Sequence, residues 1–271
     1  MGRSDGTLIT DIGPLRRMLP SLMPRRNDSC VLYEQQLDLT KTLPWLEGRE
    51  SPLTLYDLMI AGLVRVWSER PQLNRFTAGG KLYQRNEICF SISVKKSLDE
   101  NAPLTSINAI FDPADSIDDT RDRVEALIAR GREQRDTGSE KEMRAVTKLP
   151  IFLIRWLIRL QRILDWYGVL PRFMTRDDPL YSSANVVNLG SVGLDAAYHH
   201  LYEYGNIPFF IVIGRVKKGP VVTPTGELAV HDVVTIRYTF DERITDGYYT
   251  STALERFRTY IENPDLLESA S

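Results

Sequence analysis

Side chains that can accept a proton near neutral pH are few in this chain. The three histidines are His199, His200 and His231, and Cys30 and Cys89 are the only cysteines. Two cysteines supply neither a disulfide framework nor a zinc cluster, so we predict two reduced thiols and no metal site. Histidine suits general acid–base chemistry. The adjacent pair His199-His200 is therefore a candidate base, and the alternative is that both are ordinary surface or interface histidines.

A group of charged residues follows an alternating segment near the C-terminus. Residues 236–247 read Ile-Arg-Tyr-Thr-Phe-Asp-Glu-Arg-Ile-Thr-Asp-Gly. A carboxylate at a strand end is a general base only if its surroundings raise its pKa. Without such surroundings Glu242 is a solvated or ion-paired group, with Arg243 or an arginine of another chain as a possible partner. Asp246 and Gly247 also suit a turn that follows the strand.

A second short motif lies upstream, at Val187-Asn188-Leu189-Gly190. Asparagine side chains bond to nearby backbone, and glycine accepts a positive φ. We therefore predict that Asn188 and Gly190 shape a tight turn, with Gly190 in the left-handed region. The sequence contains no Ser-His-Asp, metal-ligand or phosphate-loop pattern.

Alternating helical and strand patterns run through the whole chain, and no linker divides them. Thr54-x-x-Asp57 and Ser116-x-x-Asp119 have the spacing of helix N-terminal capping boxes. A continuous apolar run at 208–213 indicates a strand that is covered on both faces. The predicted strands are residues 31–39, 88–94, 104–111, 208–213 and 234–240, with a turn at 224–226; the predicted helices begin near residues 55 and 117 and cover 149–170 and 250–262.

These patterns predict an α/β protein, an α+β two-layer structure in which helices pack on a mixed sheet. The chain has 271 residues, of which 42% are hydrophobic, and this is enough for one domain over 1–271. The formal net charge of −2 gives no reason to expect nucleic acid as a partner. We expect a cytoplasmic protein, because charged residues interrupt the N-terminus and no apolar run is long enough to span a bilayer.

The two motifs together resemble the catalytic domain of the 2-oxoacid dehydrogenase dihydrolipoyl acyltransferases. Residues 236–247 look like the Asp-His-Arg-x-x-Asp-Gly signature of that family, and 187–190 look like its Ser-Asn-Leu-Gly turn. The segments 213–228, 55–74 and 257–264 follow the family's order of elements as well.

The resemblance covers about residues 12–268 and implies a chloramphenicol acetyltransferase-like fold. It implies a homotrimer, or a multiple of trimers, whose active sites lie at subunit interfaces. Coenzyme A would enter each site from one side and a small-molecule acyl acceptor from the other. We expect neither a lipoyl domain nor a peripheral subunit-binding domain, so this would be a stand-alone member without a swinging arm.

The resemblance also shows what has changed, because both residues of the ordinary chemistry are replaced. Glu242 stands where the family has its catalytic His, and Val187 stands where it has the Ser that donates to the oxyanion. Proton transfer from a thiol of pKa about 8.5 to a glutamate of about 4.3 is uphill by roughly 5–6 kcal/mol. Losing an oxyanion donor costs a further 10²–10³ in rate, roughly. Asp246 is kept, and the resemblance pairs it with an arginine, here Arg16 or Arg17.

Three hypotheses follow. The first is an atypical coenzyme A-dependent acyltransferase in which Glu242 is a base of raised pKa, or His199 or His200 a displaced one. The second is a catalytically silent trimer, a pseudoenzyme that binds acyl-CoA or organises partners. The third concerns residues 149–170, where Arg155, Arg159 and Arg162 share one face of an otherwise apolar helix. Such a helix either packs against the domain or a trimer partner, or lies at a lipid surface.

Overall fold

A computed structural model describes residues 3–95, 104–132, 146–223 and 225–268. Its main feature is a six-stranded mixed sheet, ordered β2-β9-β8-β7-β5-β6. The parallel neighbours are β5 with β7 and β7 with β8, and the other neighbours are antiparallel. The strands of this sheet are β2 (Cys30–Asp38), β5 (Ile88–Lys95), β6 (Leu104–Phe111), β7 (Ala184–Asn188), β8 (Phe209–Val222) and β9 (Leu228–Asp241).

Helices cover one face of this sheet, which confirms the predicted α/β class. The largest fully buried side chain is Trp67, whose ring meets the rings of Phe90 and Phe209 edge-on, with centroids 5.5 and 5.1 Å away. The helices are α1 (Pro14–Leu22), α2 (Thr42–Glu47), α3 (Leu55–Glu69), α4 (Ile117–Arg132), α5 (Ile151–Trp166), α6 (Arg172–Thr175), α7 (Gly247–Glu262) and α8 (Pro264–Glu268). No helix in the described ranges combines the length and the apolar character that a membrane span requires.

Local sequence signals place several of these elements. Thr54 caps α3 in a complete capping box with Asp57, and Ser116 exchanges the equivalent hydrogen bonds with Asp119 at the start of α4. Residues 209–213 of β8 are buried without interruption, as their continuous apolar run predicts. The predicted turn includes position 224, which lies outside the described residues; Gly226, which follows it, has a φ of +85°.

A smaller sheet lies beside the main one and holds the N-terminus. Its order is β1-β4-β3, with β1 (Gly6–Leu8), β3 (Arg75–Ala78) and β4 (Lys81–Arg85). Gly79 and Gly80 join β3 to β4, both at positive φ. A Cβ on Gly79 would stand 2.2 Å from the carbonyl oxygen of Trp166, at the end of α5. The sheet therefore approaches α5 so closely that only glycine fits.

A buried ion-pair group fixes the C-terminal end of α5. Arg3 is only 8% exposed and donates to Asp5 at 2.8 Å and to Asp165 at 2.6 Å. Burial raises the pKa of Asp165. Burial also acts to raise the pKa of Asp5, but hydrogen bonding and attraction to Arg3 outweigh it and hold that pKa below its usual value. Arg3 thus joins the N-terminal strand to α5 across the sequence.

Along the rest of α5, the side chains are less buried than one of our hypotheses for this helix requires. None of its residues is buried. Ile151, Phe152 and Trp156 are 65, 71 and 55% exposed. The hypothesis that this helix packs deeply against its own domain is therefore wrong. Docking at one end holds the helix, while its outer face has no cover from the described part of this chain.

Replacing Arg3 tests this anchor. In Arg3→Gln, two largely buried carboxylates lose their cation, and we expect a loss of roughly 3–5 kcal/mol of unfolding free energy at pH 7. The pKa values of both carboxylates rise in the folded variant, so it binds protons more readily than its unfolded chain does. Its stability therefore rises as the pH falls from 7 to 5, and the deficit against wild type shrinks. Urea unfolding at both pH values measures this.

The matched control is Arg172→Gln, which breaks an exposed ion pair with Glu87. Exposed pairs contribute about 0–1 kcal/mol, so this variant should remain close to wild type. If Arg3→Gln loses as little unfolding free energy as the control, or if its loss grows as the pH falls, Arg3 does not anchor α5.

Candidate functional site

The end of β9 carries a buried, doubly hydrogen-bonded ion pair. Arg243 donates from Nε and Nη2 to the two oxygens of Asp241, at 2.8 and 2.7 Å, and the two side chains are 5 and 1% exposed. The third nitrogen of Arg243, Nη1, donates to the carbonyl of Met23 at 2.9 Å. This geometry is the bidentate fork that arginine and carboxylate form when both are held rigidly. It fixes the chain at residues 241–243 and ties it to the segment after α1.

Glu242 lies between these two paired residues, and its side chain takes no part in the ion pair. Its backbone N–H donates to the carbonyl of Ser29 at 2.9 Å, which holds the residue against the start of β2. Its carboxylate is half-buried and makes no hydrogen bond or ion pair with the residues of the described ranges. Arg243, one of the partners considered for Glu242, is not available to it, because Asp241 takes that guanidinium.

Asp246 begins α7 rather than facing Glu242. Its side chain accepts from the backbone N–H of Tyr249 at 2.7 Å, as an N-cap does. Arg16 of α1 lies 3.7 Å from its other oxygen and also donates to the carbonyl of Arg243 at 3.4 Å. Of the two arginines that the resemblance offered for Asp246, the structure brings Arg16 to it, while Arg17 donates to the carbonyl of Thr10.

The second motif forms a tight turn at the end of β7, as predicted. The side chain of Asn188 accepts from the backbone N–H of Ser191 at 3.1 Å. Gly190 does not have the positive φ that we expected; in this turn Gly193 does, with +77°. Glycine is needed at 190 for space, because a Cβ there would lie 2.6 Å from the carbonyl oxygen of Gly214. A bulge in β8 between Ile213 and Val216 brings that backbone against the turn.

A cleft of about 800 Å³ opens beside this turn. The N-terminal turn of α3 and one side of α4 form one wall, and the turn with the bulge of β8 forms the other. Asn188 and Gly190 both lie in that second wall. The remaining lining residues are mostly apolar and include Leu55, Tyr56, Met59, Ile128 and Val216. The cleft is therefore large enough, and apolar enough, for a small organic ligand.

The register of the sheet separates this turn from Glu242. Val187 pairs with Val212 of β8, which pairs with Arg237 of β9. Glu242 lies five residues beyond Arg237, one past the end of β9, so the two motifs stand about 16 Å apart along the strand direction at the usual rise of a strand. The structure therefore does not bring Val187 and Glu242 together within one chain.

The three histidines also lie in two separate places on the sheet. The ring of His199 stacks on Phe210 at 4.2 Å and on His200 at 4.7 Å, and its Nδ1 lies 2.7 Å from the carbonyl oxygen of His200. Phe210 pairs with Thr239 of β9, three residues before Glu242. His231 lies on β9, and its Nδ1 is 2.8 Å from an oxygen of Asp38 at the end of β2. In the described ranges, no group of three or more His, Cys, Asp or Glu residues is placed to hold a metal ion.

Sequence reasoning overlooked the arginines beside the Asp241–Arg243 pair. A smaller cavity of about 150 Å³ lies at this end of the sheet and contains Arg26, Arg162 and Arg243 in its wall. Arg26 is 5% exposed and donates to the carbonyls of Ile207 and Gly205 at 2.6 and 2.8 Å. The only signal in the sequence was Asp241 and Arg243 on either side of Glu242, at the spacing that a strand end allows.

The signature itself supplies a matched pair of substitutions. Asp241→Asn leaves the buried Arg243 without a charge partner, and we expect it to lower the unfolding free energy by roughly 3–5 kcal/mol. Asp246→Asn changes an exposed N-cap to another good one and should cost about 0.5 kcal/mol or less. Chemical denaturation of both variants checks the difference. Equal effects would show that the Asp241–Arg243 pair does not hold this end of the sheet.

Comparison with known proteins shows which family pattern and which solved structures the chain resembles. The family model 2-oxoacid dehydrogenases acyltransferase (catalytic domain) matches residues 175–268. A probable dihydrolipoamide acetyltransferase from Listeria monocytogenes has a TM-score of 0.61 at 16% identity, over 95% of both chains. The dihydrolipoamide acetyltransferase of Azotobacter vinelandii has 0.60 at 12% identity, over 96% of this chain and 94% of its own. A chloramphenicol acetyltransferase has 0.56 at 10%, over 95 and 98%.

No curated protein sequence matches the chain. The structural similarity, at these identities, establishes the fold, and the family model adds the sequence pattern of the region that contains both motifs. The predicted resemblance is thereby confirmed. The chain has the chloramphenicol acetyltransferase-like fold of the acyltransferase catalytic cores, and residues 175–268 carry the pattern of the 2-oxoacid dehydrogenase acyltransferase catalytic domain.

Proposed function

We propose that this protein is a trimer that binds the thioester of coenzyme A, and that it has lost the family's ordinary transfer of acyl groups between thiols. The observation that supports this best is the separation of the two motifs. The supports of the signature are intact at one end of the sheet, the turn and its cleft are intact at the other, and about 16 Å lies between them. A site that uses both motifs requires a second subunit.

The long hairpin that β8 and β9 form offers a surface for that subunit. Residues 216–222 of β8 pair with β9 on one side, whereas β7 ends opposite Ile213. The other edge of this segment is therefore open for pairing. Near the hairpin tip Val222, Leu228 and Val230 are 70, 76 and 69% exposed. Open strand edges with apolar side chains are unfavourable in water and are usually covered by another chain.

The cleft beside Asn188 and Gly190 is the proposed place for the thioester and its acyl chain. Its apolar wall suits an alkyl chain and the pantetheine arm. Arg215 lies at the bulge on its rim and is exposed, and within the described ranges its guanidinium makes only a 3.5 Å contact, with the carbonyl of Gly193. A guanidinium in that position can pair with the phosphates of coenzyme A.

The chemical groups support binding more than ordinary transfer. Val187 has no hydroxyl with which to donate to an oxyanion, and the loss of such a donor reduces the rate roughly 10²–10³-fold. Glu242 replaces a base that would be better matched to a thiol. The protein thus retains a scaffold for the ligand while it lacks both groups that the usual reaction needs.

A tryptophan placed in the cleft tests this proposal. Ala129 lines the cleft on α4 and is exposed, whereas Ala126 is equally exposed on the same helix and does not line it. In calorimetric titrations with acyl-CoA of several chain lengths, we expect Ala129→Trp to weaken binding about tenfold or more, which corresponds to about 1.4 kcal/mol. Ala126→Trp should bind as wild type does.

Sedimentation of the same samples gives the assembly. Three chains per particle are expected for wild type and for both variants. No acyl-CoA binding by wild type, or equal binding by the two alanine variants, would reject the cleft as the site. A monomer that still binds acyl-CoA would reject the shared site and keep the cleft.

A second candidate function is acyl transfer with Glu242 as the general base, acting on an alcohol, an amine or a thiol. The observation in its favour is that the Glu242 carboxylate has no partner in the described ranges, so it remains available to a substrate. A base of this kind has to be within hydrogen-bond reach of the acceptor's proton.

Turnover measurements distinguish the two candidates. With acyl-CoA and a panel of acceptors, release of free thiol that disappears in Glu242→Gln and persists in the exposed Glu227→Gln would establish transfer. Equal release in the two variants would exclude Glu242 as the base. The absence of release by wild type, together with retained acyl-CoA affinity, is the outcome expected from the binding function.

A further inference from the structure

The outer face of α5 concentrates exposed aromatic side chains. In the described part of the chain, every exposed phenylalanine and tryptophan lies between positions 152 and 173. Their exposures range from 55 to 74%. We call the outward side of residues 151–173 the α5 surface; its exposed aromatic residues are Phe152, Trp156, Trp166, Tyr167 and Phe173.

Three arginines run along the middle of this face. At 100° per residue, Arg155, Arg159 and Arg162 fall within a sector of about 60°, and all three are exposed. Arg162, at the C-terminal end of this row, also lies in the wall of the smaller cavity that contains Arg26 and Arg243. Phe152, Trp156 and Ile163 border them on one side, and Ile151 and Ile158 on the other. The only carboxylate of α5, Asp165, turns inward to Arg3. The described ranges provide no ion-pair partner for any of the three arginines.

We propose that the α5 surface docks on a bilayer that contains anionic phospholipid. Arginines in the plane of the headgroups bind their phosphates, while tryptophan, tyrosine and isoleucine side chains enter the interfacial layer. This inference is independent of the acyl-CoA proposal, because none of the residues of the α5 surface lines the cleft beside Asn188.

Charge favours lipid over a face-to-face pairing of α5 with the α5 of a second copy. Two α5 faces laid against each other would bring two sets of three arginines together, and like charges in an interface are repulsive. The chain as a whole carries −2, so attraction to an anionic membrane is a local property of this face and not of the whole molecule. A polar partner alone would leave the exposed aromatic side chains without a favourable environment.

The attachment of α5 suits this use. The Arg3–Asp165 pair and the contact at Gly79 hold its C-terminal end, and its inward residues are half-buried rather than exposed. The helix therefore presents its outer face from a fixed position and does not have to fold when it meets the bilayer. Such pre-organisation lowers the entropic cost of binding.

Partition of the full-length protein into vesicles tests the proposal. We expect co-sedimentation with vesicles of phosphatidylcholine and phosphatidylglycerol, little with phosphatidylcholine alone, and weaker binding as salt increases. Each arginine near an anionic surface contributes a factor of about five. The triple variant Arg155→Gln, Arg159→Gln and Arg162→Gln should therefore lower the partition coefficient on the order of 100-fold. Glutamine favours helix about as well as arginine, so α5 should persist.

The matched control removes the same charge elsewhere. Lys41, Arg123 and Arg130 are exposed and lie outside both the α5 surface and the hairpin, so their triple change to glutamine should leave partition within about twofold of wild type. Trp156 and Trp166 are two of the four tryptophans. The blue shift of emission that we expect with anionic vesicles should therefore disappear in Trp156→Phe with Trp166→Phe.

Several results would overturn the proposal. If the wild-type protein fails to partition into anionic vesicles, the proposal is overturned before any variant is measured. Equal losses in the two triple variants would reduce the effect to net charge. A change in the number of chains per particle on substitution of Trp156, with no vesicle binding, would show that another copy covers this face.

Discussion

A single buried ion pair organises the end of the sheet on which the signature lies. Asp241 and Arg243 occupy alternate positions, so their side chains close on one side of the chain while Glu242 is turned away. The same guanidinium binds the carbonyl of Met23, which brings the segment after α1 to this place. Arg16 then reaches both the Arg243 carbonyl and Asp246. These contacts fix the strand end without the side chain of Glu242.

The mixed sheet imposes a second constraint on the site. Because β7 runs parallel to β8, the turn after β7 has to lie at the end of the sheet where β9 begins, and the signature lies where β9 ends. No rearrangement of side chains within one chain closes this gap. A single chain therefore cannot form one site from both motifs. The exposed hairpin and the open edge of β8 belong to the same end of the sheet as the turn.

The sequence predicts the elements well and the contacts between them poorly. Capping boxes and the apolar run at 208–213 report interactions within a few residues, so α3, α4 and the core of β8 were predictable. The wall of the cleft depends on the bulge in β8, which no local pattern announces. The need for glycine at 190 is likewise a contact with Gly214 and not a local φ. Glu242 was found through the resemblance, but Ser29 and Met23, whose carbonyls accept from the Glu242 N–H and from Arg243, are more than 200 positions away in the chain.

The outer face of α5 is also a place where the chain's own folding exerts little selection. Substitutions at Phe152, Trp156 or Arg159 remove no buried contact inside this chain. In a lineage that does not use this face, other residues should therefore replace them without loss of stability. Gly79 is under the opposite pressure, because any larger residue there displaces the helix. In related sequences, the degree to which this aromatic and arginine pattern persists, relative to the invariance of Gly79, would separate selection by an external surface from selection by the fold.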